Sequence, residues 1–178
     1  RTVATGEGLA ARQAYDRVSH QLVKAFHIDV IALGGYMSYT TLGRCVNVHP
    51  ADLSLLDERG NRKYVGDHAV HDAIAAGERV LRSSTLWTDA GVDTGPLLMV
   101  SDPVPIMLPE PLEDLMKDHG RFDQVADRHQ EQLKEAGDWK IFPRTIELIA
   151  RGRFAFDPQG RVHLDGSPMF QGYRESID

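Results

Sequence analysis

The chain has a single cysteine, Cys45, in 178 residues. It cannot close an internal disulfide, so burial and hydrogen bonding must hold the fold. No apolar run approaches the roughly 20 residues needed to span a bilayer. The first residues, RTVATGEGLAARQAYD, lack the apolar core of a signal peptide. Basic residues are in the minority: 20 Lys and Arg stand against 26 Asp and Glu, for a net charge of −6. Sequence-independent nucleic-acid binding needs a basic face, so that class is excluded, whereas a small anionic ligand is not. There is no repeat, no low-complexity segment, no GxGxxG and no P-loop. His68, His71 and Asp72 lack zinc-type spacing, so no metal site is expected. These absences describe one cytoplasmic domain, residues 1–178, without membrane or nucleic-acid partners. Its 42% apolar content is enough for a core.

What is present is an alternation of helical and strand patterns. Residues 8–26 carry Ala11, Ala14, Tyr15, Val18, Leu22 and Phe26 at helical spacing, which predicts one packed apolar face. IDVIALGGY (28–36) reads as a strand buried on both faces. RCVNVHP (44–50) reads as a second strand, stopped by Pro50. A helix is expected at 67–78. Strands at 79–89 and 96–106 then form a hairpin around GVDTG. A polar helical stretch follows at 109–137, breaking near Gly120. The next helix, 143–152, has Pro143 in its first turn. A last hairpin at 153–166 turns at DPQG. Residues 49–66 form the one long irregular stretch, which is expected to be functional or mobile. Cys45 reads as a packed thiol, and Trp87 and Trp139 as core or edge packing. The order of elements predicts a three-layer α/β fold with a mixed sheet. That sheet is expected to lack its first strands and their phosphate loop, because the chain opens directly on a helix feeding a buried strand.

Two short stretches can carry chemistry. In CVNVHP, residues 45–50, Asn47 and His49 alternate with two valines, so both polar side chains share one strand face. A strand ending at Pro50 puts that face at the carboxyl end of the sheet, where open α/β sheets bind ligands. There a His can exchange a proton near neutral pH, and an Asn amide can donate to a developing oxyanion. In DAGVDTGP, residues 89–96, Asp93 lies between glycines that allow close backbone approach to a flat ligand. Each stretch taken alone is equally an ordinary turn, with Asn47 and His49 capping it and Asp93 supplying its acid.

The order of the two, joined by a helix and a strand, resembles the folate-dependent formyltransferase family. IDVIALGGYM, NVHPADL, GVDTGPLLMVSDPVPI, KIFPRTIELIARGRF and GRVHLDGSPMFQGY are each similar to a family segment, so the likeness runs across most of the chain. The resemblance implies a three-layer Rossmann-like formyltransferase fold lacking its N-terminal part. It implies 10-formyltetrahydrofolate as formyl donor and a small-molecule amine, glycinamide ribonucleotide-like, as acceptor. By the same resemblance His49 is the general acid, Asn47 stabilises the oxyanion, and Asp93 orients His49 or assists proton removal through water. The pterin is expected against Tyr36, Met37, Ser38, Tyr39 and Thr40 and against Thr88, Asp89, Ala90, Gly91 and Val92. His68 and Asp138 fall where the family contacts its acceptor.

The sequence also departs from the family pattern. The interval between Met37 and Asn47 is short, and the loop after His49 is longer and altered. Ser38 stands where an Arg is common, and Leu86 where a His is common. Two alternatives therefore stand beside formyl transfer: a hydrolase releasing formate from formyltetrahydrofolate, or a non-catalytic folate-binding domain. Other domains or a second copy are the expected macromolecular partners.

Overall fold

The computed structural model describes residues 5–36 and 38–175. Its centre is a four-stranded mixed sheet in the order β1-β2-β4-β5. Here β1 is Ile31–Leu33, β2 is Cys45–His49, β4 is Ser84–Trp87 and β5 is Leu97–Val100. β2 pairs parallel with β1 and antiparallel with β4, so it is the strand at which the sheet changes direction. The tail lies along β5: Tyr173 N–H donates to Leu98 O at 2.7 Å, and Val100 N–H donates to Tyr173 O at 2.9 Å.

The anticipated hairpin of 79–89 with 96–106 is split. Its outer ends, β3 (Val80–Leu81) and β6 (Val104–Pro105), form a separate two-stranded ladder. Ser101 interrupts the two ladders, its hydroxyl accepting from Ser83 N–H and its own N–H donating to Ser83 O.

Helices cover the sheet. On one face Val46 and Leu98 pack with Phe142, Ile146 and Ile149 of α5 (Trp139–Ala150). β7 (Phe154–Phe156), β8 (Val162–Leu164) and β9 (Ser167–Pro168) extend that layer as the expected C-terminal hairpin plus one strand. A larger cluster joins Val70 and Ile74 of α2 (Ala69–Ala75) to Phe122, Val125 and Leu133 of α4 (His119–Leu133).

The polar stretch breaks at Asp118 rather than Gly120, because the Asp118 carboxylate caps α4 by accepting from Arg121 N–H at 3.1 Å. A short α3 (Leu112–Leu115) precedes it. α4 runs on through a π-helical turn, Lys134–Asp138, into α5, so Pro143 sits inside a helix instead of opening one. Gly137 belongs to that turn for steric reasons: a Cβ there would lie 2.5 Å from the Ser83 hydroxyl.

Three expectations about burial fail. α1 (Gly6–Ala25) turns its predicted apolar face outward, with Tyr15 66%, Val18 59% and Leu22 53% exposed and Phe26, just past its end, at 72%. The residue α1 buries is Asp16, fully covered. β1 is an edge strand with Ala32 exposed, not a strand buried on both faces. Periodicity marks a face that can be buried; it does not supply the layer that would cover it. Trp139 is likewise 66% exposed, whereas Cys45 is fully buried and burial pushes its thiol up. Among the described residues no helix is long and apolar enough to cross a membrane.

Candidate active site

β2 delivers the first two residues. Cys45 and Val46 are fully buried, and Asn47 and His49 follow at period 2 to the end of the strand. Asn47 lies opposite Leu33 of β1 and Leu86 of β4, at the carboxyl end of the parallel pair. Among the described residues its amide makes no hydrogen bond, so it is free to donate to a ligand. His49 is 5% exposed, with its backbone opposite Ser84. The Ser84 hydroxyl then ties down the turn after Pro50, donating to Ala51 O at 2.6 Å and accepting from Leu53 N–H at 2.9 Å.

The loop between β4 and β5 delivers the third residue. Asp93 adopts φ of +52°, a conformation that L residues other than Asn and Asp rarely enter. Gly95 is required beside it, because a Cβ there would lie 1.9 Å from Trp87 O. The result is an Asp93 Oδ2 that stands 3.3 Å from His49 Nδ1 and accepts from Gly66 N–H at 2.9 Å. The sequence order NVHP…GVDTGP therefore does bring His49 and Asp93 together.

The opposite ring nitrogen, Nε2, lies 3.2 Å from Tyr64 O. A carbonyl and an ionised carboxylate both only accept, so the ring stands between two acceptors, Tyr64 O at Nε2 and Asp93 at Nδ1. A proton on Nδ1 would lie between the ring and the Asp93 carboxylate. Burial holds the imidazole below its ordinary value, opposed by Asp93 and by the Tyr64 carbonyl.

The segment expected to be irregular is ordered and takes part in the site. Asp57 closes a hairpin by accepting from Arg59 N–H and Asn61 N–H, Gly60 turns at φ of +81°, and Leu56 pairs with Arg62. From this hairpin Arg62 donates to the backbone carbonyls of Asp93 and Gly95. Arg62, the Tyr64 carbonyl and the Gly66 N–H were not foreseeable as site groups. Two of them are backbone, and Arg62 reaches across more than thirty positions of sequence.

The described residues expected at the pterin lie on two loops, one after β1 and one after β4. Tyr36 and Ser38 accept from Arg12 of α1 at 2.6 and 2.7 Å, and Thr40 donates to Asp16 at 3.1 Å. Tyr39 is 40% exposed, and Met37 lies outside the described residues. Thr88 extends the sheet by donating its N–H to Cys45 O, and the Asp89 carboxylate organises the turn by accepting from Gly91 N–H and Thr94 Oγ1. Ala90, Gly91 and Val92 form its exposed rim.

Asp16 fixes the first of these loops to α1. Its burial alone would raise the carboxyl pKa, but the Thr41 N–H, the Thr41 and Thr40 hydroxyls and Arg12 outweigh that and hold it low. Asp16→Ala should cost about 3 kcal/mol of stability, because several donors and Arg12 lose their acceptor together. Urea unfolding measures that loss, and hydrogen exchange should show segment 36–42 deprotected ahead of the sheet.

Among the described residues no hydrogen bond or ion pair ties either acceptor residue, Asp138 or His68, to the His49–Asp93 pair. Asp138 ends the π turn, whose Gly137 packs on Ser83, next to the residue paired with His49. Its Oδ1 has no hydrogen-bond partner, and burial raises its carboxyl, opposed by Ser83 and Lys134. His68 is exposed at the start of α2, and its ring lies 6.4 Å from that of His71. Among the described residues no group of three or more His, Cys, Asp or Glu side chains could hold a metal ion.

The family model for formyl transferase matches residues 1–126. The trifunctional purine biosynthetic protein adenosine-3 of Drosophila melanogaster is 30% identical over 88% of this chain, which spans 10% of that protein. A phosphoribosylglycinamide formyltransferase of Mycobacterium tuberculosis is 32% identical over 54% of this chain and is matched over 44% of its own length. In three dimensions the phosphoribosylglycinamide formyltransferase of Coxiella burnetii superposes with a TM-score of 0.58 at 22% identity, over 92% of this chain and 69% of that one. That likeness establishes a Rossmann-like formyltransferase fold of which this chain holds part. With the family model reaching from the first residue past β2, the acidic loop and most of α4, the chain belongs to the formyl transferase family.

Proposed function

We propose that this chain transfers a formyl group from 10-formyltetrahydrofolate to a substrate amine. The observation that carries the reading is the 3.3 Å approach of His49 Nδ1 to Asp93, beside a free Asn47 amide at the carboxyl end of β2. The acceptor nitrogen attacks the formyl carbon, and the C=O electrons move onto oxygen. Asn47 donates to that oxyanion. The His49–Asp93 pair takes the proton released by the attacking amine. Collapse of the adduct re-forms C=O and breaks the bond to N10 of the folate, and the pair's proton passes to that nitrogen. His49 is thereby the general acid, and Asp93 holds its ring and balances its charge. The folate lies between segment 36–40 and the turn 88–92.

The acceptor proposed is an amine of the glycinamide ribonucleotide type, supported by the name of the mycobacterial relative and by the unpartnered Asp138 oxygen. The trifunctional Drosophila relative supports further domains as partners. The test is to incubate the protein with 10-formyltetrahydrofolate, with and without glycinamide ribonucleotide, and follow tetrahydrofolate and formate. Amine-dependent tetrahydrofolate without formate is expected. Formate release independent of amine would make the protein a hydrolase, and binding of a folate analogue with neither product would make it a binding domain.

A further inference from the structure

We propose that Arg62 is a positioning residue for this reaction, clamping the acidic loop so that Asp93 is held against His49. The inference rests on the formyl-transfer reading of the site. Residues 89–92 and Thr94 are exposed, and within the loop the side-chain hydrogen bonds are those of Asp89 to Gly91 and Thr94. These shape the turn but leave Asp93 unaimed. Asp93 also occupies a left-handed backbone conformation that residues with a Cβ rarely adopt, so it is held from outside the turn.

The hold comes from one segment. Arg62 Nη1 donates to Asp93 O, Arg62 Nη2 donates to Gly95 O at 2.7 Å, and Gly66 N–H donates to Asp93 Oδ2. A planar guanidinium can bridge two carbonyls at fixed spacing, whereas an ammonium cannot. The segment is itself anchored. Lys63 N–H donates to Leu55 O, and both Lys63 Nζ and the Tyr64 hydroxyl donate to Glu78 beyond α2.

The same guanidinium acts electrostatically. Asp93, Arg62 and Asp67 are the charged groups facing His49, the two acids favouring the imidazolium and Arg62 opposing it. Asp93 and Asp89 are those facing Arg62. Arg62 thus does two separable things: it sets the geometry of Asp93 through its fork, and it discourages His49 from holding a proton through its charge.

Two substitutions separate the roles, measured in the full chain. Arg62→Lys keeps the charge and loses the fork; Arg62→Met loses both. Both should lower kcat about tenfold or more while KM for 10-formyltetrahydrofolate stays within about twofold. By NMR of labelled histidine, the His49 titration should move upward in Arg62→Met and less in Arg62→Lys. A kcat within about twofold of the parent in both variants, or an unmoved His49 titration in Arg62→Met, overturns the proposal. If Arg62→Met fails to fold, Arg62→Lys alone carries the kcat test, since it retains the charge and most of the volume. The titration needs no turnover. A parent protein inactive with every amine would defeat the formyl-transfer reading, while the NMR result would still decide whether Arg62 controls the pair.

Discussion

His49→Gln is expected to lower kcat for formyl transfer by about 10³-fold with the fold retained. Glutamine is close in reach and keeps a donor for the Tyr64 carbonyl, so the contact at the Nε2 side survives. It cannot accept a proton and return it. Asp93 remains, but without the ring it has no imidazole to orient. The measurement is single-turnover transfer to the amine, alongside circular dichroism for the fold. A variant within about tenfold of the parent would remove His49 from the chemistry.

The same substitution has a signature in stability. Burial favours the neutral imidazole in the folded state, so the unfolded chain binds this proton more readily. The parent should therefore lose stability as pH falls through the ordinary imidazole value of about 6.5 toward the lower value of the folded protein. The penalty is absent well above that window. In His49→Gln this component should vanish, giving a flatter profile of unfolding free energy against pH between neutral and mildly acid conditions. An equally steep profile in both proteins would show that His49 is not held neutral by the fold.

Asn47→Ala carries the second large effect. An oxyanion donor at a water-poor site is worth about 3 kcal/mol, or 10²–10³ in kcat. The donor binds charge that exists only in the adduct, so KM for the formyl donor should barely change. Because the Asn47 amide has no hydrogen-bond partner among the described residues, truncation strands none of them and should leave stability nearly untouched. That split distinguishes a donor to the transition state from a residue that merely shapes the end of β2. A rise in KM with kcat unchanged would reassign Asn47 to ground-state folate binding.

Much of this site was legible in the sequence because its parts are local. The period-2 alternation of VNVH fixes which side chains of β2 share a face, whatever the sheet around it. GVDTGP shows a turn in which an Asp tolerates positive φ and a glycine permits contact with Trp87 O. Pro50 ends β2 beside the residue that matters. The misreadings are of another kind. The stripe Tyr15–Val18–Leu22–Phe26 has the pattern of a packed helix yet faces outward, since its burial depends on a layer that local spacing cannot describe. The 109–137 helix breaks at the Asp118 cap because a capping carboxylate offers the backbone N–H groups an acceptor, and Gly120 offers none.

The sequence by itself determined the chemical vocabulary of this protein: an amide, an imidazole and a carboxylate, each on a strand end or turn that local backbone preferences specify. The tertiary structure alone decided how they are aimed. The His49 ring is held by the Tyr64 carbonyl, the direction of Asp93 by the Gly66 N–H and the Arg62 fork, and the loop at Thr40 and Thr41 by Asp16. These bonds join residues 15 to 33 positions apart, and several of their partners are main-chain groups that every residue possesses. Main-chain groups carry no signature in sequence; only the packing of one segment on another selects which of them meet.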